Sequence, residues 1–346
     1  MQSARLLAGI IGFSLLIPLN SSTTCWGDWP QFRGRAGDGH AVDGPLPVRW
    51  SETENVRWKT PIPGLGWSSP VVHGGHIFLT TAVPQAGDDE LQDLQLVCLD
   101  LAGGGVSFTT TLFEQRGPVQ MHKKNSHASP TPLVSDGRVY VHFGPHGTAC
   151  TTLDGKPIWK QTLSYKPVHG SGGSPVLIGD TLVVSCDGGD EQYVVGLDCA
   201  NGEVRWKTKR DTSPQKGFSF ATPLALSAAV AGTDRDQVIC PGSDAVFAYD
   251  PSTGDTIWQF DYPGGYSVIP KPVFGNGLVY VCSGYDKPAV YAIKPDGSGN
   301  VTASHLAWKL DRGAPHTPSL LLDGTELYLV TDGGVAACLN ALTGEE

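Results

Sequence analysis

Residues 174–206 read Ser-Pro-Val-Leu-Ile-Gly-Asp-Thr-Leu-Val-Val-Ser-Cys-Asp-Gly-Gly-Asp-Glu-Gln-Tyr-Val-Val-Gly-Leu-Asp-Cys-Ala-Asn-Gly-Glu-Val-Arg-Trp. Short apolar runs alternate with turn residues, and no run is long enough for a helix of ordinary length. Pro175 removes a backbone donor just before the first run. Gly179-Asp180 and Asn201-Gly202 supply the φ > 0 positions that tight hairpins need. The stretch therefore predicts four short strands joined by turns, the last carrying Trp206.

Working outward, the same pattern returns. Thr222-Pro223, Val238-Ile239-Cys240, Ala248-Tyr249-Asp250, Thr253-Gly254 and Trp258 repeat it downstream. Ser129-Pro130-Thr131-Pro132, Leu153-Asp154-Gly155 and Trp159 form a shorter copy upstream, and Ser69-Pro70, Leu99-Asp100 and Phe108 form the first. Lys271-Pro272, Ala292-Ile293 and Trp308 form the fifth; Thr317-Pro318, Leu339-Asn340 and Thr343-Gly344 begin a sixth. A period of about 40 residues with four strands per repeat is the signature of propeller blades. A four-stranded sheet cannot bury both faces alone, so neighbouring blades pack face to face around an axis. The expected fold is an all-β propeller of about six blades, with each Trp filling the outer gap between blades.

Cys186, Cys240 and Cys282 recur near the end of the second strand, and Cys98 and Cys338 recur in the third. Equivalent points in different blades stand a blade apart, so these cysteines are expected as small buried hydrophobes rather than disulfides. Val56-Arg57-Trp58-Lys59-Thr60 repeats residues 204–208 letter for letter, ahead of the first blade. Either it completes the sixth blade, or the ring is incomplete and it closes a later one.

The chain has 346 residues, 44 Gly, 26 Pro and a formal net charge of −10. Its only basic run, Lys123-Lys124, is too small for a nucleic-acid surface. Residues 1–27 read as a signal peptide: Arg5, then an apolar run from Leu6 to Leu19 that is too short for a membrane span. Residues 28–346 are then the mature propeller, exported to a periplasm or cell envelope. A lipid anchor at Cys25 is disfavoured by the preceding Ser22-Thr23-Thr24.

The Leu-Asp-x-x-Thr-Gly-x-x-x-Trp pattern, seen best from Tyr249 to Trp258, resembles the pyrroloquinoline-quinone-like repeat. Trp29-Pro30-Gln31-Phe32-Arg33-Gly34, residues 123–130 and residues 312–318 resemble exported propellers of this family in planctomycete-type bacteria. The resemblance implies a ring of about eight blades, closed by the Val56–Thr60 strand in its last blade. It also implies two possible functions. Some members, including the propeller lipoprotein of the outer-membrane assembly machinery, are scaffolds without a quinone. Others are dehydrogenases that bind pyrroloquinoline quinone with calcium and carry an adjacent cysteine pair. No two cysteines are adjacent here, so the expectation is a propeller without a bound cofactor, and a quinone-dependent oxidoreductase is the alternative.

In a four-stranded blade the loop leading into the inner strand shares one rim with the loop between strands two and three. On that rim the candidate binding residues are Trp67, Lys124, Asn125, His127, His169, Asp187, Asp244, Lys271, Tyr285, Arg312, His316 and Asp332, with Phe218 and Tyr266 beside them. Cations, carboxylates and aromatics in that mixture suit a protein partner, a small ligand or a glycan. No catalytic constellation is expected. His127, His169 and His316 occupy comparable positions in different blades, but they need not converge, so no metal site is expected.

Overall fold

The computed structural model describes residues 27–41, 46–86, 88–117 and 121–346. The expected signal peptide, apart from Gly27, and Cys25 lie outside the described residues. Six antiparallel sheets follow one another along the chain, as a propeller requires. Blade one contains β1 (Val71–His73), β2 (His76–Gln85), β3 (Asp88–Asp100) and β4 (Val106–Arg116). Blade two contains β5 (Leu133–Ser135), β6 (Arg138–His142), β7 (Thr148–Thr152) and β8 (Pro157–Gln161). Blade three contains β9 (Val176–Ile178), β10 (Thr181–Asp187), β11 (Gln192–Asp198) and β12 (Val204–Lys209).

Blade four contains β13 (Leu224–Leu226), β14 (Gln237–Pro241), β15 (Ala245–Tyr249) and β16 (Thr256–Asp261). Blade five contains β17 (Val273–Gly275), β18 (Leu278–Cys282), β19 (Val290–Ile293) and β21 (Leu306–Leu310). The longer turn of blade five carries β20 (Gly299–Asn300), which adds itself in parallel to β16. Blade six has three described strands, β22 (Leu321–Asp323), β23 (Glu326–Val330) and β24 (Ala336–Asn340).

The cores lie between blades. Leu133, Tyr140 and Cys150 of blade two pack with Leu182, Cys186 and Tyr193 of blade three. Val183 and Val194 of blade three then pack with Val238, Cys240 and Phe247 of blade four. Period-two alternation places successive residues of β10 in different interfaces, which is why its apolar run is continuous. The described cysteines are all free; Cys98, Cys186, Cys240 and Cys282 are buried as expected, and Cys150 is buried with them. Cys338 is exposed. It shares with Tyr328 and Val330 the face of blade six turned away from blade five.

The repeated Trp does more than fill a gap. Trp206 donates its indole N–H to the Pro251 carbonyl of the next blade at 2.9 Å, and Trp159 does the same to Cys199 at 3.1 Å. Gly202 and Gly254 take φ values of +78° and +77° beneath these rings. A Cβ at either would come within 2.5 Å of the indole, so conformation and space both require glycine. Val56–Thr60 pairs with no described strand of the sixth sheet. Trp58 nevertheless occupies the same type of slot, against Gly104 of blade one, with its indole N–H 3.0 Å from the Leu101 carbonyl.

Around the axis, the lead-in residues of the first three blades each hand a backbone N–H to a hydroxyl of the next. The N–H groups of Ser69, Thr131 and Ser174 donate to Thr131 Oγ1, Ser174 Oγ and Thr222 Oγ1 at 3.0, 2.9 and 3.0 Å. The N-terminal segment crosses beneath this ladder. Trp29 pairs with Val72 of β1, and the Pro30 carbonyl accepts from Val134 N–H of β5 at 2.7 Å. On the far side the Gly37 carbonyl accepts from Lys271 Nζ at 2.8 Å, and His40 Nε2 donates to the Leu322 carbonyl of β22 at 2.7 Å. Residues 29–40 are thus a strap that joins blades one and two to blades five and six.

Candidate functional site

The lead-in loops converge on a cavity of about 660 Å³ on the axis. Every blade contributes to its wall: Trp67 from the first, His122, Asn125 and Thr131 from the second, and His169 and Ser174 from the third. Phe218, Phe220 and Thr222 come from the fourth, Tyr266 and Tyr285 from the fifth, and Thr317 and Asp332 from the sixth. Phe32 of the strap lies among them, where the strap passes under the axis.

The wall is a belt of rings, edge to face in its first three contacts and tilted in the last two. His122 meets His169 at 5.5 Å, His169 meets Phe218 at 5.2 Å, and Phe218 meets Tyr266 at 5.5 Å between centroids. Tyr266 and Tyr285 follow at 6.4 Å, and Tyr285 and His316 at 4.9 Å. T-shaped packing of this kind satisfies ring quadrupoles and fixes the wall's shape. Lys216 Nζ bridges the Tyr266 hydroxyl and Asp286, both at 2.9 Å. Burial, then the neighbouring His122, holds the His169 pKa below the ordinary histidine range, which favours the neutral imidazole.

The polar groups divide into those already bonded and those still open. Asn125 donates to the His169 and Ser171 carbonyls at 2.8 and 3.2 Å, so it fastens blade two to blade three. Asp332 accepts from His316 N–H at 2.7 Å, from Thr317 N–H at 3.3 Å and from the Thr317 hydroxyl at 2.5 Å. Partial burial works to raise its pKa, but these bonds outweigh it and keep the carboxyl below the usual range. Thr131, Ser174 and Thr222 are almost fully buried and accept from the ladder. Each retains a hydroxyl hydrogen with no acceptor among the described residues. The Trp67 indole N–H and the Tyr285 hydroxyl are likewise without described partners.

Of the twelve candidate residues, Trp67, Lys124, Asn125, His169, Tyr285 and Asp332 line the cavity together. The others lie elsewhere. Asp187 forms a fully buried pair with Arg210, whose Nε and Nη2 stand 2.6 and 2.9 Å from its oxygens. Arg210 also donates to the Cys240 carbonyl at 2.9 Å, so the pair bolts blade three to blade four. Lys271 points down to the strap, Asp244 accepts at 2.7 Å from the N–H of Gly264 in the loop that follows β16, and Arg312 is exposed. His127 Nδ1 lies 3.2 Å from His146 Nε2, and His316 joins the ring belt through its tilted contact with Tyr285 without lining the cavity itself.

Sequence reasoning missed His122, Phe32 and Phe220. His122 precedes Asn125 in the same lead-in loop, and only its ring contact with His169 marks it. Phe32 sits within a motif recognisable in the sequence, but nothing there says that the segment reaches the axis. His142 and His146 stand four apart, a spacing that can hold a metal on one face of a helix. Here the chain between them is a strand end and a single 3-10 turn. His142 bonds Thr148 Oγ1 at 2.9 Å, and no group of three potential metal ligands occurs among the described residues.

The chain matches the family model described as outer membrane protein assembly factor BamB over residues 49–221 and 191–346. It is 24% identical over 240 residues to a polyvinylalcohol dehydrogenase of a Pseudomonas species, covering 52% of this chain and 38% of that one. It is 26% identical over 209 residues to subunit 1 of the methanol dehydrogenase of Methylobacterium organophilum, covering 53% of this chain and 29% of that one. The chain therefore spans well under half the length of these two relatives. Among solved structures it resembles the quinohemoprotein alcohol dehydrogenase ADHIIG of Pseudomonas putida, with a TM-score of 0.57 at 13% identity over 80% of this chain and 57% of that one. That likeness is one of fold. The two family matches together span nearly all of the described propeller, and the chain belongs to the family of the outer membrane protein assembly factor BamB.

Proposed function

We propose that this protein is an exported, non-catalytic binding propeller whose axial cavity seats a small ligand or a narrow segment of a partner. One observation carries this reading: all six blades contribute side chains to one cavity of about 660 Å³, a volume suited to a drug-sized ligand. The wall combines fixed aromatic rings with open hydrogen-bond donors, which is recognition chemistry. The one carboxylate in the lining, Asp332, is occupied by the lead-in loop of its own blade and is badly placed to act as a base. Export is supported by Arg5 and the apolar run that follows it. Among the described residues no helix is long and apolar enough to cross a membrane.

The dehydrogenase relatives favour a second reading, a quinone-dependent oxidoreductase. The lining fits that cofactor pair poorly. Calcium takes six to eight oxygen ligands, with carboxylates prominent among them. Here the lining offers a single carboxylate whose oxygens already accept hydrogen bonds. Pyrroloquinoline quinone is a tricarboxylate, and Lys124 is the one cationic side chain in the lining. Adding the quinone and calcium to the full chain while following absorbance and dye reduction separates the two readings. No stoichiometric spectral shift is expected; a shift with alcohol-dependent dye reduction would establish the oxidoreductase instead.

A further inference from the structure

We infer that the axial cavity recognises the end of a neutral carbohydrate chain, an inference that rests on the binding role proposed above and names its ligand class. The argument begins with the ladder. Thr131, Ser174 and Thr222 each use one hydroxyl lone pair on the neighbouring blade's N–H, which fixes the oxygen in place. The hydrogen of each hydroxyl is left undonated at the cavity wall, although all three residues are nearly fully buried. A buried donor needs an acceptor, and three around one axis call for a ligand or waters presenting several oxygens.

Above these donors stand the rings. A pyranose has the matching duality: apolar C–H faces that lie on aromatic surfaces, and an equator of hydroxyls. Trp67 is 63% exposed at the cavity mouth, an unusual position for so large an apolar side chain, and its open indole N–H adds a donor beside a stacking face. Tyr285 offers both in the same way. Charge selects against ionic ligands, because the lining supplies no open carboxylate and its one ammonium, Lys124, sits on an exposed loop. A single exposed cation gives little binding energy to an anion in salt.

The strap sets the mode of binding. It ties β1 and β5 to Lys271 and β22 beneath the cavity, with Phe32 in the lining. A chain cannot thread through such a floor, so the geometry selects a terminal sugar over the interior of a polymer.

The test is calorimetric titration of the full chain with cello-, xylo-, manno-, malto- and chito-oligosaccharides, alongside a sulfated and a uronic-acid oligosaccharide. The expected result is binding of at least one neutral series. Affinity should fall roughly tenfold or more in Trp67→Ala and several-fold in Tyr285→Phe, and blocking the recognised chain end should abolish it. Circular dichroism and unfolding midpoints check that both variants fold. Failure of every neutral sugar to bind, whether or not the sulfated or uronic-acid oligosaccharides bind, would overturn the ligand class; a charged oligosaccharide that binds and is lost in Trp67→Ala would leave the binding role standing. Sugar binding unchanged in both variants would place recognition elsewhere and overturn this inference.

Discussion

A methyl group placed on Gly254 of blade four would lie 2.5 Å from the indole of Trp206 in blade three. The same relationship links Gly202 to Trp159 and Gly344 to Trp308. The glycine and the tryptophan of the repeat are therefore one device, split across two neighbouring blades.

Gly254→Ala is expected to lower unfolding stability by about 2–4 kcal/mol, from the left-handed backbone plus overpacking against the ring. Gly179 has a similar positive φ but open space around it. Gly179→Ala should cost only about 1 kcal/mol. Urea unfolding of the two variants gives the comparison, and equal losses would remove the indole from the explanation.

This device shows what was legible in the sequence. Gly and Trp recur at fixed offsets, so the six copies, their strand order and most of the buried cysteines could be read directly. Their contact across blades could not, because the repeat pattern does not say which copy meets which. Half of the candidate rim residues line the cavity for a similar reason: a loop can be assigned to a rim from strand order, but the direction of a side chain cannot. Asp187 and Lys271 have the residue types of a binding site, and long-range partners, Arg210 and Gly37, draw both away from it.

The Asp187–Arg210 pair predicts strong non-additivity. Burial alone would depress the Arg210 pKa, and the attraction of Asp187 more than reverses that, keeping the guanidinium charged. Asp187→Ala leaves that charge buried without its carboxylate and should cost about 3–5 kcal/mol. Asp187→Leu combined with Arg210→Met should recover a substantial part of the loss. A double-mutant cycle in denaturant measures the coupling; additive losses would contradict the bolt between blades three and four.

Lys271 predicts a rise in stability with alkaline pH. Burial, then the nearby Arg33, lowers its pKa to about 7, whereas an unfolded lysine titrates near 10.4. Between those values the unfolded chain holds the extra proton, so stability increases as pH rises and is lost as pH falls towards 7. The clean window is about pH 7 to 8.5, since buried thiols such as Cys150, raised to about 11, oppose the trend once unfolded cysteines ionise. Lys271→Met should flatten the slope in that window. An unchanged slope would show that the ammonium is not the source.

On the acid side, His142 and His146 act together. Burial, followed by repulsion from a neighbouring histidine, lowers them to about 3 and 4. Unfolded histidines protonate near 6.5, so stability should decline as pH falls from there towards those lower values. His142→Asn should reduce the loss measured by unfolding midpoints between about pH 6.5 and 4.5. A variant as acid-sensitive as the parent would assign the effect to carboxylates.

The strap also bears on the order in which the molecule can be completed during synthesis. Gly37 and His40 leave the ribosome early, yet their partners Lys271 and Leu322 are made 234 and 282 residues later. Contacts of such sequence separation form slowly, because the intervening loop must close before they are rewarded. The blades can assemble one upon another as they emerge, but the cavity floor must wait for the fifth and sixth. A nascent chain would thus carry an open-bottomed tunnel until nearly the whole described propeller has been translated.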